Sequence, residues 1–160
     1  MKYLMTSYQI LAIDAKELLL RGEKMKQALI DTDILSMFFR GDEKVKGKFQ
    51  LYLEKYDEIT ISILTYYEIM SGLKHRDAKK QMKAFVEFSS HSLIYNLSEK
   101  STEISAGLYA NLRKKGTPVD DIDLLIAGIA LEHNLTLITN NTSHFERIEG
   151  LDVGNWAKNL

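Results

Sequence analysis

Short apolar runs alternate along this chain with longer segments in which apolar residues recur at helical spacing. The first run covers residues 27–30 and ends at Asp31. Apolar side chains then return every three or four positions up to Gly41, which is the spacing of one helical face. This pattern predicts a strand that leads directly into a helix.

The same alternation continues towards the C-terminus. Strand-like runs cover residues 58–63, 92–96, 135–139 and 151–153. Helical patterns cover residues 65–73, 77–88, 99–115 and 120–133, the third closed by Gly116 and the fourth capped by aspartate. The charged segment 44–55 receives no assignment, although it keeps four apolar residues, Val45, Phe49, Leu51 and Tyr52.

Strands that alternate with helices predict a single α/β domain with a central parallel sheet flanked by helices. In such sheets the functional residues gather beyond the carboxyl ends of the strands. Asp31 and Asn140 lie directly past two of the predicted strand ends. Polar side chains at these positions are therefore candidates for a functional site.

Composition narrows the kinds of site that the domain can contain. A chain of 160 residues with 45% hydrophobic content fits one compact domain. It has no cysteine, which excludes disulfides, thiolate zinc sites and a cysteine nucleophile. Any metal must therefore be held by oxygen or imidazole, and the missing cysteines suit a reducing compartment.

Hydropathy and charge favour a cytoplasmic protein that does not contact the membrane. The apolar stretches fall short of the roughly 18 residues of a membrane span. Asp14, Lys16 and Glu17 interrupt a stretch that otherwise resembles a signal-peptide core. The formal net charge is −1, so any nucleic-acid binding must come from a local basic patch.

Two acidic residues in the first half of the chain are candidates for chemistry. Asp31 stands where the first strand meets the first helix, although Asp31 or Asp33 could simply cap that helix. Glu68 shares a helical face with short side chains that would let its carboxylate point inward. The alternative is a solvated glutamate.

Three aspartates, Asp120, Asp121 and Asp123, precede the segment "LLIAGIA". The helix dipole favours acids there, and Asp120 with Asp123 could form an acidic analogue of the capping box. Capping does not explain why three acids precede an almost uncharged, small-residue helix that must pack closely against the sheet.

Acids brought together raise one another's proton affinity, so a cluster is stable only when a cation neutralises it. Hard oxygen ligands without cysteine or paired histidines suit Mg²⁺ or Mn²⁺ and argue against zinc. Such an ion lowers the pKa of a bound water and stabilises charge on phosphate. Hydrolysis of a phosphodiester requires both effects.

Four segments together resemble the PIN-domain ribonucleases and, within them, the VapC toxins of bacterial toxin–antitoxin pairs. They are "LIDTDIL", "ISILTYYEIMSGL", "RKKGTPVDDIDLLIAGIALEHNLTLITNN" and "HFERIEGL". The resemblance runs from about residue 25 to the C-terminus and implies a metal-dependent endoribonuclease with a PIN-like fold. It implies that Asp31, Glu68 and Asp123 are the catalytic metal ligands, the last because the family's acid stands just before the "LLIAG" run.

The resemblance also suggests secondary site residues. Thr32, Asp33 and Thr139 fall at polar positions that line the family's site. Asn141 occupies the place where many members carry a further aspartate, which leaves a second metal ion in doubt. Asp120 or Asp121 could supply the missing charge.

Partners follow from the same resemblance. It implies a homodimer inhibited by an antitoxin of the VapB type, and an RNA substrate. The segments "RKKGTPV", "TNN" and "FERI" most resemble VapC toxins that cut initiator transfer RNA in its anticodon loop. An exposed single-stranded loop presents a phosphate that a narrow acidic site can reach.

Two clusters of basic residues leave two interpretations open. Each cluster could contact RNA, whose phosphates need a basic surface, or each could simply be a solvated helix face. The clusters are Lys74, His75, Arg76, Lys79, Lys80 and Lys83, and then Arg113, Lys114 and Lys115. His91, His133 and His144 show no ligand spacing and are interpreted as structural or exposed.

Two other functions compete with the nuclease. A phosphatase of the haloacid dehalogenase type also carries paired aspartates after a strand, but Leu35 stands where that class needs threonine or valine. A non-catalytic RNA-binding module could keep the PIN fold, although all three acids are present.

The N-terminal segment 1–24 is expected to lie outside the catalytic fold, with a PIN-like nuclease domain over residues 25–160. The resemblance begins at "MKQALIDTD", where Met25 takes the place of an initiator. The alternative is a real N-terminal helix that packs a loose apolar face on the domain.

Overall fold

The computed structural model describes residues 26–158, so the N-terminal segment 1–24 lies outside the described residues. Strands β1 (Ala28–Ile30), β2 (Thr60–Ser62), β3 (Leu93–Tyr95), β4 (Thr136–Ile138) and β5 (Val153–Gly154) form one sheet. Their order is β3-β2-β1-β4-β5, and every neighbouring pair is parallel. The prediction of a central parallel sheet is confirmed.

Helices connect the strands and cover both faces of the sheet. They are α1 (Thr32–Arg40), α2 (Glu43–Lys55), α3 (Ile63–His75), α4 (Lys79–Ser90), α5 (Glu99–Lys114), α6 (Asp121–Glu132) and the short α7 (Thr142–Phe145). Every predicted helix is present.

Helices α2 and α7 have no counterpart in the sequence expectation, and strand β2 is shorter than predicted. The unassigned segment 44–55 belongs to α2, whose buried Val45, Phe49 and Tyr52 recur at helical spacing behind an Asp42 cap. Strand β2 is shorter than predicted because the Ser62 side chain accepts a hydrogen bond from the N–H of Thr65 and starts α3.

The core lies in two layers, one on each side of the sheet. On β1, Ala28 and Ile30 pack into one layer, while Leu29 packs into the other. Full burial of a leucine or isoleucine side chain contributes roughly 1.5–3 kcal/mol. Strand β1 is therefore apolar along its whole length, as expected for a central strand of a parallel sheet covered on both faces.

The carboxyl ends of β1 and β4 are fixed to each other. The N–H of Asp31 donates to the carbonyl of Ile138 at 2.9 Å, and the N–H of Thr139 donates to the carbonyl of Gly154 at 2.9 Å. Pairing thus continues one residue beyond each strand, and Asp31 and Thr139 start from a rigid backbone.

Helix α6 lies unusually close to α5, and Gly128 makes this possible. A Cβ atom added at Gly128 would stand 2.1 Å from Oγ of Ser105 and 2.5 Å from the carbonyl oxygen of Ser101. The Ser105 Oγ lies 2.9 Å from the carbonyl oxygens of both Ser101 and Leu124 and shares its one hydrogen between them, which ties the two helices together. The small residues of "LLIAGIA" therefore serve helix–helix packing as well as packing on the sheet.

Gly128→Ala should destabilise the protein by roughly 2 kcal/mol or more, because the new methyl group overlaps backbone that cannot move independently. Gly107→Ala on α5 is the matched control. No atom lies within 4 Å of the added Cβ there, so the better helix former should be neutral or stabilising. Urea unfolding of both variants checks this, and equal stabilities would contradict the close contact.

Candidate active site

Asp31 is the buried centre of a polar cluster at the carboxyl edge of the sheet. Only 6% of the surface of Asp31 is exposed to solvent. Oδ1 accepts a hydrogen bond from the N–H of Thr32 at 2.8 Å, and Oδ2 accepts one from Oγ1 of Thr139 at 2.8 Å. Asp31 is the N-cap of α1. Capping and a place in the site are therefore compatible roles for this residue.

The electrostatic environment of Asp31 is unfavourable for its charge. The pKa of Asp31 is raised to about 7, chiefly by burial and further by the charges of Asp33 and Asp123, against the opposing effect of the hydrogen bonds from Thr139 and Thr32. Burial also raises the pKa of Asp33. The fold therefore brings three of the sequence candidates within electrostatic reach of one another.

Glu68 reaches the cluster from α3 through Thr32. The Oγ1 hydroxyl of Thr32 donates to Oε2 of Glu68, while the N–H of Thr32 donates to Asp31. Glu68 is half-buried, so the alternative of a fully solvated glutamate is wrong. One threonine thus connects the carboxylates of two different elements.

Asp33 holds the segment that follows β4. Its Oδ2 accepts from the N–H of Asn140 at 2.9 Å and lies 3.4 Å from Oγ1 of Thr139. Its Oδ1 accepts from the N–H of Ile34 at 2.6 Å. Asp33 and Thr139 both lie in the cluster, in agreement with their place among the secondary candidates.

Asp123 lies on the first turn of α6 and contacts His144, from the segment after β4. Its Oδ2 is 3.0 Å from Nδ1 of His144, which is in turn 2.7 Å from Nδ2 of Asn141. The backbone N–H of Asn141 donates to Oγ1 of Thr139 at 3.0 Å. Hydrogen bonds therefore lead from Asp123 to Thr139 and on to Asp31.

His144 was missed as a site residue by the sequence reasoning. Its interpretation as structural or exposed overlooked its contact with Asp123, because the helix α7 that carries it has only four residues. The polar run between β4 and the buried Phe145 was a usable signal, since it follows a strand end at the carboxyl edge.

Asp120 and Asp121 lie apart from this cluster. Both are exposed, and Oδ1 of Asp120 accepts from the N–H of Ile122 at 3.0 Å as the N-cap of α6. The expected acidic capping box between Asp120 and Asp123 does not form, because the Asp123 side chain contacts His144 instead.

The acids of the cluster have no cationic partner from lysine or arginine. Across residues 26–158, Asp31, Asp33 and Glu68 form no ion pair, and Asp123 pairs with His144 alone. No three acidic or histidine side chains in this part of the chain are yet close enough together to hold a metal ion. The site therefore concentrates negatively charged side chains, which would have to move closer together to bind a cation.

Stability of the metal-free protein should fall as the pH rises from about 4 to about 7. The raised pKa of Asp31 means that, in this range, the folded state keeps a proton that the unfolded chain, with a pKa of 3.8, has released. Asp31→Asn should remove most of this slope and be more stable than wild type at pH ~8 by roughly 1–4 kcal/mol.

Chemical unfolding in EDTA across this pH range measures the effect. Asp57→Asn, at an exposed position, is the control and should keep the wild-type slope. An Asp31→Asn profile parallel to wild type would contradict the burial of a charge at this position.

The chain is similar to known proteins along most of its length. The PIN domain family model matches residues 28–151. Ribonuclease VapC2 of Rickettsia felis is 36% identical over 107 residues, which cover 66% of this chain and 80% of that protein. The tRNA(fMet)-specific endonuclease VapC of Salmonella typhimurium is 29% identical over 135 residues, which cover 83% of this chain and 100% of that protein.

Solved structures show the same relationship. The structure of VapBC2 from Rickettsia felis, bound to a DNA fragment from their promoter, matches with a TM-score of 0.74 and 29% identity. The match covers 81% of this chain and 98% of the other.

Within residues 26–158, no helix is both long enough and apolar enough to cross a membrane.

Proposed function

Because this chain belongs to the PIN-domain family and, within it, to the VapC ribonucleases of toxin–antitoxin systems, we propose that Asp31, Glu68 and Asp123 form its catalytic metal site. The protein is an endoribonuclease. The observation that carries the assignment of residues is the buried Asp31 carboxylate, which lies near further acids and, within residues 26–158, forms no ion pair with lysine or arginine.

The donor set fits a hard divalent cation. PIN-domain nucleases generally use divalent metals, and Mg²⁺ or Mn²⁺ is the choice that carboxylate and hydroxyl oxygens favour. Asp31, Glu68 and Asp123 would hold the ion, and Asp33 lies close enough to add its charge to theirs. When bound, such an ion stabilises negative charge on the phosphate and lowers the pKa of water.

Hydrogen bonds from neighbouring side chains orient the acids for binding a cation. Thr32 and Thr139 donate to opposite oxygens of Asp31 and fix its rotation, while Thr32 also directs Glu68 towards it. Burial at Asp31 removes competing water and strengthens its attraction for a cation. Asp33 and Asn141 keep the segment after β4 against this edge through Asn140 and Thr139.

Asp31→Asn, Glu68→Gln and Asp123→Asn should each lower the rate of RNA cleavage by a factor of about a hundred or more while the fold persists, because each removes a charge that a bound cation needs. Cleavage of a labelled RNA by the full chain in Mn²⁺ measures this. Asp57→Asn and Glu103→Gln change exposed carboxylates elsewhere and should cleave at the wild-type rate.

Wild-type cleavage by two of the three variants would contradict the assignment. A wild-type protein that binds RNA and Mn²⁺ but cleaves nothing would instead favour a non-catalytic module. The PIN family match argues against the phosphatase alternative, which requires a different family.

The substrate is proposed to be a transfer RNA cut in its anticodon loop. The Salmonella typhimurium relative is a tRNA(fMet)-specific endonuclease, and this chain matches its full length. A single-stranded loop exposes its phosphates and bases as a duplex does not. Exposed lysines at the end of α3 and the start of α4, Lys74, Lys79 and Lys80, could offset the repulsion between RNA and the acids.

Mapping of new RNA ends after digestion of total RNA should find cuts concentrated in the anticodon loop of one or a few transfer RNAs. The Asp31→Asn variant in the same digest identifies background cuts. Ends found in ribosomal or messenger RNA alone would contradict this substrate while leaving the nuclease assignment intact.

The partner is proposed to be an antitoxin of the VapB type, since the structural neighbours include VapBC complexes. A homodimer and a cytoplasmic location are further parts of the proposal. Large apolar side chains that stay exposed in the single chain, among them Tyr67 at 61% and Val86 at 48%, are consistent with surfaces that another chain covers.

We also propose that residues 25–160 contain the complete nuclease and that residues 1–24 are dispensable. The PIN match and the first strand both begin at residue 28. Removing residues 1–24 should leave the cleavage rate unchanged, and a loss of activity would show that the segment is an integral part of the domain.

A further inference from the structure

We propose that His144 is a positioning residue that orients the Asp123 carboxylate for metal binding. The inference rests on the proposed function of Asp123 and concerns a histidine that is not one of the three proposed acidic ligands. Nδ1 of His144 is 3.0 Å from Oδ2 of Asp123, and the side chains are 45% and 20% exposed. The contact therefore lies at the rim of the acidic cluster.

The direction of this hydrogen bond follows from its chemistry. An ionised carboxylate can only accept, so Nδ1 of His144 must carry the hydrogen. A donating Nδ1 cannot also accept from Nδ2 of Asn141, which lies 2.7 Å away. Rotation of the Asn141 amide by half a turn brings Oδ1 to the ring, and the single hydrogen on Nδ1 is then shared between the oxygens of Asp123 and Asn141.

The contact leaves one oxygen of Asp123 for a ligand. Among residues 26–158, Oδ2 of Asp123 bonds to His144, while Oδ1 has no hydrogen-bond partner. A histidine that fixes one oxygen of a ligating carboxylate restricts its rotation and keeps the other oxygen available.

The position of His144 is itself set by packing. Its neighbour Phe145 is fully buried in the core layer that contains Leu137 and Ile126, which anchors α7 beside α6. Asn141 joins the same segment to Thr139, and Thr139 donates to Asp31. His144 therefore connects Asp123 with the residues that hold Asp31, and its loss should affect the ion more than the fold.

Replacement of His144 by asparagine or by glutamine separates the effect of the hydrogen bond from that of side-chain size. The amide nitrogen of asparagine can take the place of Nδ1, whereas that of glutamine lies near the place of Nε2. His144→Ala and His144→Gln should weaken Mn²⁺ binding about 10- to 100-fold, and His144→Asn should stay close to wild type. His91→Ala is the control, because His91 is exposed and its ring contacts the Ser90 hydroxyl and the Glu87 carbonyl, away from the acids.

Calorimetric titration of the full chain with Mn²⁺ measures these affinities, and thermal melts in EDTA show whether each variant is folded. The role of His144 would be overturned if His144→Ala bound Mn²⁺ as tightly as wild type. It would also be overturned if His144→Asn and His144→Gln had the same affinity. If wild type binds Mn²⁺ and cleaves RNA in that case, the proposed function stands. Wild type that binds no Mn²⁺ would overturn both proposals.

Discussion

One buried carboxylate, that of Asp31, is the constraint on which the rest of the site depends. Its backbone extends the pairing of β1 with β4, and its side chain caps α1 and accepts from Thr139. A carboxylate removed from water and placed near other acids is unfavourable unless a cation joins it. The apolar layers on both sides of the sheet stabilise the fold enough to tolerate it.

Each acid in the cluster accepts a hydrogen bond from a neighbouring residue. Thr32 serves Asp31 and Glu68, Asn140 serves Asp33, and His144 serves Asp123. Such donors limit the rotation of carboxylates that would otherwise turn away from one another, so less ordering is needed when a ligand binds. The carboxylates are thus held close together in fixed orientations. Their repulsion lowers the stability of the fold locally, and function is served by this cost.

Much of the architecture could be predicted from the periodicity of apolar residues. Alternating strand and helix patterns were sufficient for the parallel sheet, because strands joined by helices pair in parallel. Helix α2 could not be assigned because lysine and glutamate dominate its composition, although its three buried residues recur at helical spacing. The short helix α7 could not be predicted, since four residues give no period and its position depends on the packing of Phe145.

The candidate site divides in the same way. Asp31 and Asp123 could be placed because each stands at an element boundary on the carboxyl side of the sheet. The contact of Glu68 with Thr32 depends on how α3 lies beside α1, which no local pattern encodes. The bond between His144 and Asp123 joins residues 21 positions apart on two helices, so it too becomes visible only in three dimensions.

The location of a bound ion tests the central claim most directly. Crystals of the protein soaked in Mn²⁺ should show an anomalous peak within direct coordination distance, roughly 2.0–2.6 Å, of carboxylate oxygens from Asp31 and Asp123, with Glu68 turned towards the same ion. A peak bound to other residues, or none at saturating Mn²⁺, would contradict the account of this edge of the sheet as a metal-dependent active site.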